Sequence, residues 1–105
     1  MAEINALVIE SVKKFLSKLK EEGIHIERSY LYGSCAKGEE NKWSDIDIVL
    51  ISPDFSDNRF EEGMRLMKIS STIDSRIEPV PFRPDTFVDE DPLVWEVKKQ
   101  GILLE

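Results

Sequence analysis

Two short segments of the sequence carry residues suited to binding phosphates and metal ions. Residues 33–38 read Gly-Ser-Cys-Ala-Lys-Gly, and residues 44–47 read Ser-Asp-Ile-Asp. Glycine lets a phosphate approach the backbone, while helix-end amides and a serine hydroxyl donate hydrogen bonds to it. Asp45 and Asp47 lie two positions apart, so on a strand they point the same way and repel each other unless they share a cation. Mg²⁺ prefers such oxygen ligands, and the spacing therefore predicts a magnesium site for phosphoryl transfer.

Residues 45–51 predict the strand that holds the two aspartates. Alternation gives this strand two sets of side chains: Asp45, Asp47, Val49 and Ile51 on one face, and Ile46, Ile48 and Leu50 on the other. A strand with apolar residues on both faces lies in the middle of a sheet that is covered on both sides. We therefore expect the aspartates where a central strand begins.

The elements before this strand predict how the first segment is positioned. A helix that ends near Gly23 carries apolar residues at helical spacing, namely Ile4, Leu7, Val8, Val12, Phe15, Leu16 and Leu19. Branched and aromatic residues predict a strand over 24–32. Residues 33–42 contain glycine and polar residues, and they predict a loop or a short helix directly after that strand.

Residues 58–73 predict a helix with two apolar stripes. Phe60, Met64 and Met67 form one stripe, and Leu66, Ile69 and Ile73 form the other. One stripe must cover the sheet. The other is either buried inside the protein, which we favour, or available to a partner.

The last third of the chain predicts an edge strand and a capped helix. A strand over 75–80 contains Pro79 and is followed by Pro81, so it lies at an edge or has a free donor side. A short helix over 93–99 and a final strand over 102–104 follow. Helices that alternate with strands around a small sheet predict an α/β (α+β) fold in a single domain.

The composition limits the partners of such a domain. The 105 residues include 14 Lys+Arg and 21 Asp+Glu, which gives a formal net charge of −7. This acidic balance disfavours direct binding to nucleic acids and to anionic membranes, although a polyphosphate can still bind through metal ions. Cys35 is the only cysteine, and no signal peptide or membrane-spanning run is recognisable. We therefore expect a cytoplasmic protein.

The pattern Gly-Ser-x-Ala-x-Gly-x5-Ser-Asp-x-Asp resembles the polymerase-β-like nucleotidyltransferase superfamily. The short chain resembles its minimal nucleotidyltransferase branch, an antitoxin of the HEPN/MNT type. The core motif covers residues 33–47, and the order of the elements extends the resemblance over nearly the whole chain. The resemblance implies a mixed β-sheet flanked by helices, in one minimal nucleotidyltransferase domain over 1–105.

The resemblance also implies a role for each matching position. Gly33 and Ser34 would hold the β- and γ-phosphates of a nucleoside triphosphate. Ser44 is grouped with these nucleotide-binding residues, as a turn residue that orients the aspartates. Asp45 and Asp47 would bind two Mg²⁺ ions. Cys35 occupies a variable position of the motif and is expected to have no catalytic role.

The family requires a third carboxylate on a neighbouring strand. Glu78 is the first choice, because a glutamate followed by proline is familiar in the minimal branch, and Asp74 is the alternative. Asp74 and Arg76 are expected to share a face with Glu78 by alternation. The resemblance therefore implies Asp45, Asp47 and Glu78 as catalytic and metal-binding residues.

The implied reaction is attack of a hydroxyl on the α-phosphorus of ATP, which transfers AMP and releases pyrophosphate. The short chain leaves no room for a domain that holds the acceptor, so we expect the acceptor on a second protein. In the minimal branch the resemblance implies a helical HEPN-type toxin, AMPylated on a tyrosine, with this chain as the antitoxin. Candidate contact residues are the stripe of Leu66, Ile69 and Ile73, together with Trp43 or Trp95.

A binding module is the alternative to an enzyme. In that case the domain would neutralise its partner by steric masking, and the metal site would be vestigial or regulatory. Transfer to a nucleic acid or a small molecule is a weaker alternative, because such acceptors are held by additional domains in the superfamily. The presence of all three acids favours an active enzyme.

Overall fold

The computed structural model describes residues 6–37 and 45–104, apart from the side chains of Ser34 and Lys37. Helices and strands follow one another in these ranges in the order α1 (Ala6–Glu21), β1 (Arg28–Tyr32), α2 (Ser34–Lys37), β2 (Ile46–Ile51), α3 (Arg59–Ser70), β3 (Ile77–Phe82), α4 (Pro92–Gln100) and β4 (Ile102–Leu103). Each predicted helix and strand corresponds to one of them, with bounds that differ by a few residues. In the described ranges, no helix combines the length and the apolar character that a membrane span requires.

The strands of the described chain form one mixed sheet, in the order β3-β2-β1-β4. β1 is antiparallel to both β2 and β4, whereas β3 runs parallel to β2. β2 therefore lies inside the sheet, and β3 lies at its edge. Both positions confirm the predictions made from the apolar character of β2 and from the prolines of β3.

The two faces of the sheet carry separate hydrophobic cores. Ile46, Ile48 and Leu50 pack in one core with residues of α1 and α3. Val49 and Ile51 pack in the other with residues of α4. The predicted alternation along β2 is confirmed, and it places the side chain of the intervening Asp47 on the α4 face.

The orientation of α3 corrects the expectation about its two stripes. Leu66 is buried, and Ile69 and Ile73 pack against the core shared with α1. The other stripe is exposed, with Phe60, Met64 and Met67 at 77%, 52% and 47%. The favoured expectation, that both stripes are buried inside the protein, is therefore wrong for this exposed stripe. The choice of Leu66, Ile69 and Ile73 as candidate contacts with a partner is wrong as well, because packing of α3 against β3 turns that stripe inward.

Gly23 ends α1 in the way that its position predicts. Its φ of 80° is in the left-handed region. The Gly23 amide donates to the carbonyl of Lys20, and the Ile24 amide donates to the carbonyl of Leu19, both at 3.0 Å. This pair of bonds is a Schellman motif, and the burial of Ile24 in the α1 core completes it. Leu7, which was expected in the buried stripe of α1, is exposed.

We expect Gly23→Ala to lower the free energy of unfolding by about 1–2 kcal/mol, because an alanine is strained at positive φ. Gly63→Ala is the matched control, since both glycines have open space where a Cβ would lie. Gly63 is inside α3 and has no positive φ, so this change should raise stability by up to about 1 kcal/mol. Urea unfolding followed by circular dichroism measures both. Equal losses in the two variants would contradict the role of backbone conformation.

Candidate active site

Asp47 is the centre of a row of polar side chains across three strands. It pairs with Tyr32 on β1 and with Glu78 on β3. Residues that pair directly across strands project to the same face of a sheet. Tyr32, Asp47 and Glu78 therefore lie side by side on the α4 face, and the exposed Asp45 directly precedes β2.

Negative charges converge on this row. Burial raises the pKa of Asp47, and the carboxylates of Asp45 and Glu78 raise it further. Burial also raises the pKa of Tyr32 to about 12, with added contributions from Asp47, Glu78 and Glu96. The carboxylates are thus close enough to disfavour one another's charge, and a cation would relieve that cost.

The donor set fits a hard cation such as Mg²⁺, because it consists of carboxylate oxygens that repel one another. In the described ranges, however, no three His, Cys, Asp or Glu side chains form a group that could hold a metal ion as they stand. Coordination by Asp45, Asp47 and Glu78 together therefore stays a prediction.

Gly33 brings the first segment of the motif against Asp47. Its φ is 76°, in the left-handed region, and it follows β1 directly. A Cβ at this position would overlap the Asp47 Oδ2 atom and would lie 3.4 Å from its Cγ. Glycine is therefore required on two grounds, by its backbone conformation and by the closeness of the carboxylate. The structure thus joins the two halves of the motif that the sequence separates.

Cys35 connects the same two halves from the other side. It is buried in the α1 core, and its thiol donates a hydrogen bond to the Asp45 carbonyl at 3.3 Å. This contact links α2 to the residue before β2. Sequence reasoning missed this positioning role, and the expectation that Cys35 has no catalytic role stays a prediction.

Three of the remaining predictions concern residues that the structure leaves undescribed. Ser34 is the first residue of α2, but its side chain lies outside the described atoms. Ser44 and Trp43 lie outside the described residues altogether. Their proposed contacts with nucleotide or partner stay predictions. Trp95, by contrast, is exposed on α4.

Asp74, the alternative third carboxylate, is occupied elsewhere. Its carboxylate accepts hydrogen bonds from Arg76 Nη2 at 2.9 Å and from Ser11 Oγ of α1 at 3.0 Å. The Arg76 guanidinium is the main cause that lowers the pKa of Asp74 to about 2. The shared face expected for Asp74 and Glu78 is not found, because β3 begins only at Ile77 and Asp74 contacts α1.

The sequence pattern of the nucleotidyltransferase domain family matches residues 10–100. The chain belongs to the nucleotidyltransferase family. The match includes the glycine–serine segment, the aspartate pair and Glu78. No curated protein is similar enough to the chain to count as a match.

Solved structures of similar fold include chains of toxin–antitoxin complexes. One complex, crystallised with AMP-PNP, contains a chain 28% identical to this nucleotidyltransferase, with a TM-score of 0.60; 89% of this chain and 71% of that chain are covered. A chain of the MntA-HepT complex is 25% identical, with a TM-score of 0.52 and coverage of 90% and 69%. A chain from the complex of a tri-AMPylated Shewanella oneidensis HEPN toxin with an MNT antitoxin shares the fold at 24% identity, with a TM-score of 0.55 and coverage of 93% and 71%.

A double-mutant cycle tests the contact between Gly33 and Asp47. We expect Gly33→Ala to lower the free energy of unfolding by about 2–4 kcal/mol, from backbone strain and from overlap with the carboxylate. In an Asp47→Ala background the cost should fall to about 1–2 kcal/mol, the part due to backbone strain alone. Of the three atoms nearest to the alanine Cβ, only the Cβ of residue 47 would then remain, at an ordinary 3.7 Å. If the losses in free energy of unfolding from the two changes were additive, the Asp47 carboxylate would not be the reason that position 33 requires glycine.

The pH dependence of stability tests the ion pair of Asp74. The pKa of Asp74 is lowered from 3.8 to about 2, so its stabilisation is fully present above 3.8 and is lost as the pH falls toward 2. Asp74→Asn should therefore cost about 1 kcal/mol at neutral pH, a value reduced for solvent screening, and less as the pH falls below about 4. Urea midpoints at a series of pH values measure this. A loss that stays constant with pH would contradict the ion pair.

Proposed function

We propose that this nucleotidyltransferase transfers AMP from ATP to a tyrosine hydroxyl of a helical HEPN-type toxin, and that it thereby acts as an antitoxin. The observation that carries the proposal is the position of Gly33 against Asp47, with Glu78 beside Asp47 on the next strand. This arrangement puts the expected phosphate-binding turn next to the expected metal-binding acids. A cytoplasmic location and the domain extent of 1–105 stay predictions.

In the proposed reaction the acceptor oxygen forms a bond to the α-phosphorus, the bond to pyrophosphate breaks, and the hydroxyl proton passes to solvent. Gly33 leaves the backbone accessible to the triphosphate, and Ser34 is proposed to hold its phosphates. Ser44 is proposed to contribute to nucleotide binding as the turn residue that orients the aspartates. Asp45, Asp47 and Glu78 are proposed to bind two Mg²⁺ ions. When bound, these ions would neutralise the negative charges of the acids and of the triphosphate.

Two similarities support the choice of nucleotide and partner. The relative crystallised with AMP-PNP comes from a toxin–antitoxin complex, and AMP-PNP is an analogue of ATP. A further complex of this type, with a chain 26% identical to this one and a TM-score of 0.58, carries two aspartates two positions apart changed to glutamate. The spacing of that pair is the spacing of Asp45 and Asp47. We infer that ATP and a toxin partner apply to this chain as well.

The test is transfer of label from ATP labelled at the α-phosphate to the protein encoded beside this chain, which we propose is of the HEPN type. Asp45→Asn, Asp47→Asn and Glu78→Gln should each reduce transfer by about 100-fold or more, because each removes a carboxylate proposed to hold the Mg²⁺ ions that would stabilise the transition state. Asp74→Asn is the matched control, since it removes a carboxylate that is engaged with Arg76. This variant should retain most of the transfer.

Two results would contradict the proposal. Neutralisation of the partner without transferred label, unchanged in the Asp45 and Asp47 variants, would establish steric masking instead. Label that appears on RNA or on a small molecule but never on the partner would show a different acceptor. Replacement of the labelled tyrosine by phenylalanine, with the label located by mass spectrometry, identifies the acceptor atom.

A further inference from the structure

A groove with an apolar lining lies along α1, on the opposite side of the sheet from the acids. It has a volume of about 550 Å³. Ile9, Val12 and Leu16 of α1 line one side, and Ile24, Leu31 and Leu104 are among the other lining residues. Leu31 and Ile24 belong to the core shared with α1, whereas the side chain of Asp47 is on the α4 face. A molecule in the groove would therefore leave the catalytic acids accessible.

The charged side chains that line the groove are basic. Lys13 and Lys20 line it together with His25, and among the described residues no acidic one is part of the lining. This is unusual for a chain with a net charge of −7. The neighbouring lysines of α1 are paired within their own helix, Lys14 with Glu10 and Lys18 with Glu21. In the described part of the chain, Lys13 and Lys20 have no such ion pair.

The spacing of these residues fits a helix as the occupant. The half-buried Ile9 and Leu16 lie seven positions apart on α1, with the buried Val12 between them at the floor of the groove. Seven positions is the repeat of an apolar seam between paired helices. Lys13 and Lys20 are seven positions apart, which is about two helical turns. Both therefore lie on the same side of the seam that Ile9 and Leu16 form. The lining residues of α1 extend over about 16 Å, which is the length of about three helical turns.

We propose that this groove binds an amphipathic helix of a partner protein. The apolar face of that helix would pack on Ile9 and Leu16, and acidic residues seven positions apart would pair with Lys13 and Lys20. The proposal does not depend on the transfer reaction, because the groove and the acids lie on opposite faces of the sheet. It assigns to α1 an interaction surface that is separate from the active site.

Two synthetic helices test the proposal with the full chain. One is a fluorescent peptide of three heptads with leucine at the seam positions and glutamate at the flanking positions, and the other has lysine in place of glutamate. We expect the glutamate peptide to bind at low salt and the lysine peptide to bind at least about tenfold more weakly. The Asp47→Asn variant should bind the glutamate peptide as the unchanged protein does.

Charge reversal provides the matched comparison. Lys13→Glu with Lys20→Glu should weaken binding of the glutamate peptide at least about tenfold. Lys14→Glu with Lys18→Glu makes the same change in charge on the same helix, outside the groove lining, and should keep most of the affinity. Lys13→Gln with Lys20→Gln, which adds no negative charge, should also weaken binding. Urea midpoints confirm that each variant is folded.

Four results would overturn the proposal. They are equal binding of both peptides, equal loss in the two reversed pairs, no peptide binding up to about 1 mM, and binding of dodecanoate in the groove without binding of either peptide. The last result would assign the groove to a small amphiphilic anion. Concentration-dependent self-association that the Lys13 and Lys20 variants abolish, with no peptide binding, would assign it to a second copy of the chain.

Discussion

The close approach of the Gly33 backbone to the Asp47 carboxylate is the constraint on which the rest of the site depends. It requires a residue without a side chain in a left-handed conformation, and it requires β1 and β2 to be neighbours in a fixed register. That register places Tyr32 beside Asp47, and the parallel pairing of β2 with β3 adds Glu78. A shift of one residue in either pairing would send a carboxylate to the opposite face. The hydrophobic cores on both faces fix this register, because alternate side chains of β2 are buried in one core and in the other.

The two cores have different roles: one fixes the strands, and the other lies on the face of the sheet that carries the acids. The core with α1 and α3 contains most of the large buried side chains and fixes the strands from one side. The smaller core with α4 lies on the face that carries the acids. On this face of β2, Val49 and Ile51 are buried in the core, and Asp47 lies nearer the start of the strand. Asp47 is costly to keep charged at this position, because burial raises its pKa and the carboxylates of Asp45 and Glu78 raise it further. Such a cost is typical of a site that is completed by a ligand.

The sequence predicts the parts of this structure that local patterns determine. Alternation in β2 assigned both faces correctly, and Pro79 placed β3 at the edge. Two outcomes depend on contacts between distant residues and could not be read locally. The stripe of α3 that faces inward is decided by its contact with β3, and both stripes have helical spacing. Asp74 differs from Glu78 because it precedes β3 and because Arg76 and Ser11 donate hydrogen bonds to it. Ser11 is 63 positions away in the sequence.

The prolines of β3 have one more consequence, which concerns association rather than catalysis. The Ile46 amide at the start of β2 donates to the Arg76 carbonyl, and the Ser52 amide directly after β2 donates to the Phe82 carbonyl. The even-numbered residues of β3 therefore direct their backbone groups toward β2. The backbone groups of Pro79 and Pro81 therefore point toward the open edge of the sheet, and neither proline has a backbone N–H that could donate a hydrogen bond there. An added strand from another molecule would find few donors along this edge. The acid-bearing side of the sheet is thus protected from edge-to-edge aggregation, at no loss of hydrogen bonding to β2.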